Sequence, residues 1–187
     1  DKDSVHYERT FYVHRAIEVD QNTYVCPAKT SKKKCPICEY RAKLMNDPDS
    51  DEKLIKDLSP KERQLFNIID VNDRDKGIQI FNISYHLFGA TLDSRIRNAD
   101  EDDGYENFAN LKDGLTLKLD LEEQSLGKNS FTQVSGIDFK PRKVNYDESM
   151  LEEAYCLDNL LKILSYDELK KKFLDEDDEP AAPAKKT

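Results

Sequence analysis

Three cysteines and a histidine near the N-terminus are spaced for metal binding. Cys35 and Cys38 form a C-x2-C pair, and Cys26 lies nine residues before Cys35. A C-x2-C turn brings two thiolates to one metal, at about 2.3 Å from each sulfur. A tetrahedral structural site needs a fourth ligand, and His14 is the nearest candidate with enough chain to fold back. The pattern predicts one structural Zn²⁺ held by His14, Cys26, Cys35 and Cys38.

Other interpretations of these residues exist. A lone C-x2-C also fits a redox dithiol or two buried cysteines, but the third cysteine and the nearby histidine favour a metal. His6 competes with His14 for the fourth position. The remaining cysteine, Cys156, lies among apolar residues near the C-terminus. It is predicted to be a packed thiol and not a ligand.

The segment that carries the cysteines is basic, although the protein is acidic. The 187-residue chain has a net charge of -9, and 36% of its residues are charged. Between Cys26 and Lys43 there are six lysines or arginines, and Glu39 is the only acid. Three thiolates on one Zn²⁺ subtract one charge, which leaves about +4 in this segment. The sequence therefore predicts a compact positive lobe.

The acidity is concentrated towards the C-terminus. Residues 147–187 contain twelve acids and six bases. Residues 175–187, which begin with an acidic run and end in a Pro/Ala-rich stretch, are predicted to form a disordered tail. No apolar run approaches the roughly 18 residues that span a bilayer, and no signal-peptide pattern opens the chain. Free cysteines arranged as ligands favour a reducing compartment over a disulfide framework.

Alternating and β-forming segments predict a mainly β protein with added helices. Strands are predicted over residues 7–19, 66–71, 77–83, 115–121 and 130–139, the last with a bulge at Gly136. Helices are predicted over residues 38–44, 59–64 and 85–97, and after capping boxes at Ser149 and Ser165. Short hairpin-linked strands favour an OB-fold barrel over a parallel sheet. We expect an OB-fold core over 1–146 with an inserted zinc subdomain at about 14–45, and C-terminal helices over 147–174 packed on that core.

The whole pattern resembles one family. The spacing His-x11-Cys-x8-Cys-x2-Cys, the lysines inside it, the short-stranded barrel and the acidic tail are similar to the single-stranded DNA-binding, helix-destabilising proteins of T-even-type bacteriophages. The similarity covers about residues 14–139, and the metal motif is its specific part. It implies sequence-nonspecific binding of single-stranded DNA in phage replication, recombination and repair. Such a protein protects single strands and recruits replication proteins.

The resemblance also implies partners and a location. Phage replication and recombination proteins would contact the acidic tail residues Asp175, Glu176, Asp177, Asp178 and Glu179. Copies of the protein would self-associate cooperatively on DNA. The location would be the cytoplasm of the infected bacterial host, with no membrane partner.

Binding of single strands requires cations that follow the phosphates and rings on which bases stack. The candidate phosphate contacts are Lys29, Lys32, Lys33, Lys34, Arg41, Arg63, Arg74, Lys76, Lys128, Lys140, Arg142 and Lys143. The candidate stacking rings are Tyr12, Tyr24, Tyr40, Phe81, Tyr85 and Tyr105. The hypothesis requires that basic and aromatic residues share one surface.

Two other functions compete with DNA binding. A zinc-dependent deaminase would use the H-x-E of His6-Tyr7-Glu8 with Cys35 and Cys38. Against it, Lys34 stands where that signature has proline, residues 7–19 are predicted as a strand, and Cys26 would have no role. The other competitor is a protein-interaction adaptor whose zinc knuckle docks a partner. No nucleophile–base pair, P-loop or glycine-rich phosphate cradle is found, so we expect no enzymatic activity.

Overall fold

The framework of the protein is a set of antiparallel strands. The computed structural model describes residues 7–17, 22–127 and 129–174, without the side chain of Leu126. The strands in these residues are Glu8–Ile17 (β1), Asn22–Val25 (β2), Lys61–Ile68 (β3), Gln79–Ser84 (β4), Leu115–Leu126 (β5) and Asn129–Pro141 (β6). One sheet has the order β2-β1-β3-β4 and curls like half of a barrel, and β5 pairs with β6 in a second sheet. The β1–β2, β3–β4 and β5–β6 pairs are antiparallel.

Short helices connect and flank these strands. The α-helices are Pro27–Ser31 (α1), Pro36–Met45 (α2), Glu52–Asp57 (α3), Gly89–Arg97 (α4), Ser149–Glu153 (α5) and Tyr166–Leu174 (α6). Single 3-10 turns occur at Arg74–Lys76, Tyr85–Leu87, Tyr105–Asn107 and Leu157–Leu160. Among the described helices, none has the length and apolarity needed to cross a membrane. The protein is mainly β with added helices, as predicted, whereas closure into an OB barrel stays a prediction.

Packing divides the chain into two units, and each is assembled from two separate segments. Unit 1 consists of Asp1–Phe11 and Glu62–Leu161. Unit 2 consists of Tyr12–Lys61 and Lys162–Thr187. The chain passes from one unit to the other within β1 and again at the start of β3.

Unit 2 has a core that surrounds the predicted metal ligands. Its buried cluster contains Cys26, Cys35, Ile37, Leu58 and Leu169, together with Ile17 at the end of β1. Leu169 comes from α6, which packs against α2: the Tyr166 hydroxyl donates to Glu39 at 2.7 Å. The rings of Tyr40 and Phe173 meet edge to face at 5.4 Å. Helix α6 is therefore part of the unit that carries the cysteines.

Unit 1 has an aromatic core. Phe66, Phe88, Leu92, Phe108, Val134 and Ile137 form its buried cluster. The inward-facing residues of β5 and β6 pack on this cluster through Leu115, Leu117, Leu119 and Phe139. The alternation that predicted β5 therefore places its leucines against the core of unit 1.

The predicted strands are confirmed with shifted ends. The strand predicted over 7–19 corresponds to β1, and its residues 18 and 19 lie outside the described residues. The other four predicted strands correspond to β3, β4, β5 and β6, whereas β2 was not predicted. A bulge was predicted at Gly136, and the structure places it one residue earlier. Asp120 pairs with Gly136 and Leu121 pairs with Val134, so Ser135 is the extra residue.

The helix predicted over residues 59–64 is wrong. Strand β3 starts at Lys61, and Arg63–Ile68 pair with Ser84–Gln79 of β4. The Ser-Pro start contributes only about 1 kcal/mol of capping. Pairing with β4 and burial of Leu65 and Phe66 outweigh that local preference.

The two predicted capping boxes have different outcomes. At α6 the prediction is confirmed, because the Ser165 hydroxyl and backbone N–H both donate to the Glu168 carboxylate and the Glu168 N–H donates to the Ser165 hydroxyl. At α5 it is wrong, because Ser149 is the first helical residue and its hydroxyl donates to Asp147 instead. Because its hydroxyl is hydrogen-bonded to Asp147, Ser149 does not cap the helix.

The prediction of a packed Cys156 thiol is also wrong. Cys156 is exposed. The apolar run around it forms the Leu157–Leu160 turn and not a continuous amphipathic helix, so its side chains do not share one buried face. Leu157 is buried, whereas Leu160 is exposed.

Candidate metal centre

His14 is fixed in one orientation by its backbone and by its ring. It lies on β1 opposite Tyr24 of β2, and its side chain is 0% exposed. The ring nitrogen Nδ1 is 3.0 Å from the Leu58 carbonyl oxygen. A carbonyl oxygen only accepts, so Nδ1 carries the proton and donates, which leaves the lone pair of Nε2 free for a metal.

The three cysteines lie at helix starts. Cys26 and Cys35 are the N-cap residues of α1 and α2, and each is followed by a proline at the first helical position. Cys38 lies in the first turn of α2. The backbone N–H groups at a helix start favour negative charge, which suits sulfur ligands of a metal ion. The Lys29 N–H also donates to Cys26 Sγ at 3.5 Å.

The four donor atoms lie close enough together to surround one metal ion. Cys26 Sγ and Cys38 Sγ are 3.5 Å apart. His14 Nε2 is 3.4 Å from Cys35 Sγ and 3.6 Å from Cys38 Sγ. Ordinary zinc–ligand bond lengths in a regular tetrahedron give about 3.8 Å between sulfurs and about 3.6 Å from sulfur to nitrogen. All four atoms lie within 4.8 Å of one another, so they could hold one metal ion.

The thiol pKa values show how closely the sulfurs interact. The pKa of Cys26 lies well below its usual range, because the Cys35 and Cys38 thiols donate to its sulfur and the backbone amide of Lys29 adds a further bond. The pKa of Cys38 is raised, because its thiol donates to Cys26 and a second thiolate would meet the first at close range. The closeness of the sulfurs therefore favours ionisation of Cys26 and disfavours ionisation of Cys38.

Comparisons with known proteins do not assign this centre to a family. No protein-family model matches the sequence, and no curated protein matches it. Three thiolates and one imidazole suit Zn²⁺ in a closed structural site, since carboxylates and water dominate sites for harder cations.

Some predicted site residues lie outside the described residues. These are the competing ligand His6, the candidate phosphate contact Lys128 and the acidic tail residues 175–179. The predicted set of His14, Cys26, Cys35 and Cys38 is brought together completely. Sequence reasoning missed the Leu58 carbonyl, which fixes the tautomer of His14, because a backbone acceptor leaves no signal in residue type.

In unit 2, the candidate DNA-binding lysines are exposed on the segment between Cys26 and Cys35. Lys29 lies on α1, and Lys32, Lys33 and Lys34 lie in the turn that joins α1 to α2. Arg41 instead donates through Nε to the Ile55 carbonyl at 2.9 Å. We call these four lysines the lysine knuckle.

The candidate rings of unit 2 have packing roles. Tyr12 and Tyr24 pack on the buried cluster around the cysteines. Tyr40 is 40% exposed and touches Phe173 along one edge. Of the three rings, Tyr40 leaves the most surface for a base to stack on.

In unit 1, several candidate cations bond within the protein. Arg142 donates to the carbonyls of Asn110 and Phe108 at 2.7 and 2.9 Å, and its pKa is lowered mainly by burial. The other engaged cations are Arg63 with Asn82, Arg74 with the Tyr146 hydroxyl, and Lys76 with Asp73. Lys140 and Lys143 are exposed on and after the end of β6.

The candidate rings of unit 1 also differ. Phe81 packs edge to face on Phe88 and belongs to the core. The Tyr85 hydroxyl donates to Asp93 at 2.9 Å, which raises the pKa of Tyr85. Tyr105 stacks on Phe139 at 4.1 Å with nearly parallel planes. That stack is the ring arrangement nearest to the one a base would adopt on an aromatic platform.

Proposed function

We propose that the protein binds single-stranded DNA without sequence specificity, and that a structural Zn²⁺ shapes the binding surface. The observation that carries this proposal is the lysine knuckle. Four exposed lysines lie between Cys26 and Cys35, on a segment whose two ends are candidate metal ligands. Phosphate contacts supply most of the affinity in sequence-independent binding.

The metal would hold the binding surface in one conformation and would not take part in a reaction on DNA. With Zn²⁺ bound, the segment from Cys26 to Lys43 has a net charge of about +4. Metal-binding energy is folding energy in small sites of this kind, so the ion would hold the lysines in one arrangement. A fixed set of cations avoids the entropy cost of ordering the loop when DNA binds.

The closed ligand set argues against the deaminase. A catalytic zinc keeps one position for water or substrate, whereas His14, Cys26, Cys35 and Cys38 together fill a tetrahedron. The deaminase would also leave Cys26 without a role. A structural ion in a non-enzymatic binding protein fits these residues better.

The wider role remains part of the proposal. The resemblance of the metal motif supports phage DNA replication, recombination and repair, with recruitment of replication proteins by residues 175–179 in the cytoplasm of an infected bacterium. Exposed Lys140 and Lys143, with the Tyr105–Phe139 stack, are the unit 1 residues that best fit contacts to DNA.

A titration of the zinc-loaded protein tests the proposal. Fluorescence is measured as oligo(dT) or duplex DNA is added, each at two salt concentrations. We expect tight binding to the single strand that weakens with salt, and little binding to the duplex. No binding to either at low salt would favour the zinc-knuckle adaptor.

A triple substitution locates the contact. We expect K32A/K33A/K34A to lower the slope of log affinity against log salt by about 2, since each phosphate contact on a single strand contributes about 0.7. The matched control, K53A/K56A/K61A, removes three exposed lysines of unit 2 outside the knuckle. Equal losses in both variants would assign the effect to net charge and not to the knuckle.

A further inference from the structure

The β5–β6 hairpin extends beyond the core that it helps to form. Up to the bulge at Ser135, its leucines pack on the aromatic cluster of unit 1. Beyond the bulge, the pairing continues from Leu121 with Val134 to Leu126 with Asn129. We call the described residues of this extension, 121–127 and 129–133, the arm.

The arm buries little within its own chain. Its described side chains are exposed except Gln133, which is half-buried. Leu121 is 63% exposed and Phe131 is 37% exposed. A two-stranded ribbon is marginally stable alone in water, and its apolar side chains gain from a partner.

The arm carries negative charge. Its acids are Glu122 and Glu123 on β5, and Lys128 is the only base in the sequence of residues 121–133. No cation of the described residues forms an ion pair with Glu122 or Glu123. An acidic ribbon repels DNA phosphates, so this surface suits a basic protein surface.

The lysine knuckle is a complementary surface of the same chain. Its four lysines are exposed, and no described carboxylate pairs with them. Lysine side chains also have long apolar stems that cover exposed Leu and Phe while the ammonium groups reach carboxylates. Side chains alternate between the two faces of the arm, so Leu121 shares one face with Glu123, and Phe131, which pairs with Gln124, shares the other with Glu122. Each face therefore offers one apolar and one acidic side chain to the lysines.

We propose that the arm of one molecule docks on the lysine knuckle of a second copy. Such a contact joins two different surfaces, so each molecule in a row keeps one free arm and one free knuckle. Heterologous contacts that do not close into a ring produce open chains. The protein would then form short head-to-tail assemblies in the absence of DNA.

A second consequence rests on the proposed function. If the knuckle binds phosphates, single-stranded DNA and the arm compete for the same lysines. The arm would then occupy the lysines until a single strand of DNA displaces it. The association itself needs no DNA, so it can be measured separately.

Analytical ultracentrifugation of the zinc-loaded full chain, without DNA, tests the contact. We expect the average mass to rise above 21.7 kDa with concentration at about 20 mM salt and to return to it at about 300 mM salt. E122K/E123K and K32E/K33E/K34E should each weaken association at least about tenfold. Mixing the two variants should restore it, because each supplies the charge that the other lacks.

Matched variants separate this contact from general charge effects. E152K/E153K changes two exposed acids of α5, gives the same change in net charge and should associate like the wild type. Zinc content is measured for every variant. If K32E/K33E/K34E loses its metal, K32A/K33A/K34A is used in its place. A monomer at every concentration, unchanged association of E122K/E123K, or a mixture that fails to associate would each overturn the proposal. Association that persists in a protein unable to bind oligo(dT) would disprove the proposed function and leave this contact standing.

Discussion

At the scale of single residues, His14 is held by both ring nitrogens. Nδ1 donates to the Leu58 carbonyl, and Nε2 faces the sulfurs of Cys35 and Cys38. A second-shell acceptor of this kind fixes the tautomer and orientation of a ligating histidine. The side chain is therefore ready to bind before the metal arrives.

Cys35→Ser should remove the metal and destabilise the protein. The substitution removes one of four ligands, and metal affinity contributes directly to folding free energy. We expect less than one zinc per chain by elemental analysis and a lower Tm. Cys156→Ser is the control, because that thiol is exposed and outside the cluster. Full zinc content and Tm in Cys35→Ser would contradict the ligand set.

The position of Gly89 leaves no room for a Cβ beside the Gln64 side chain. A Cβ at this position would lie 2.0 Å from Gln64 Oε1, and Gln64 is buried and tied to Glu8 by a 2.7 Å hydrogen bond. We expect Gly89→Ala to lower the free energy of unfolding by about 1–3 kcal/mol in a urea titration. Adding Gln64→Ala should recover part of that loss. A double variant whose loss equals the sum of the two single losses would show that this clash is not the cause.

At the scale of elements, the sequence predicted the structures that depend on residues close together in the chain. The alternation in β5 and the Ser165–Glu168 capping box needed only neighbouring residues, and both were predicted. The first residues of β3, which local signals predicted as helix, depend on pairing with β4 and on burial of Leu65, which no local pattern contains. The four metal ligands were predictable because ligand chemistry restricts residue types, whereas the packing of α6 on α2 joins residues far apart in sequence.

The capping box of α6 should make part of the stability depend on pH. Donation from the Ser165 hydroxyl and N–H lowers the pKa of Glu168 below its ordinary value of 4.5. A lowered pKa stabilises the fold at pH values above 4.5, and this contribution is lost as pH falls through the folded-state pKa. We expect an NMR titration of Glu168 to show the lowered pKa, and Ser165→Ala to raise it.

Ser149→Ala is the control for that titration. Its hydroxyl donates to Asp147 and takes no part in the box at α6. The titration of Glu168 should therefore be unchanged. An equal change in both variants would mean that Ser165 does not act on Glu168 directly.

At the scale of the whole molecule, unit 2 depends on both of its segments. Leu169 is 0% exposed within the cluster that contains Cys26 and Cys35. A chain that ends after residue 161 should lose this cover, bind zinc more weakly in a chelator competition and melt at a lower temperature. A chain that ends after residue 174 keeps α6 and should retain both properties. Equal zinc affinity in the two truncated chains would show that α6 does not support the metal site.

The discontinuity of unit 2 also has a consequence for synthesis. The four ligands leave the ribosome early, but the 100 residues of Glu62–Leu161 must be made before α6. At about 5–20 residues per second, this takes about 5–20 s. During that interval all four candidate ligands have been synthesised. Leu169, which packs in the apolar cluster around Cys26 and Cys35, has not. Translation would therefore give a metal ion a period of open access to the nascent chain, which ends when α6 packs against α2.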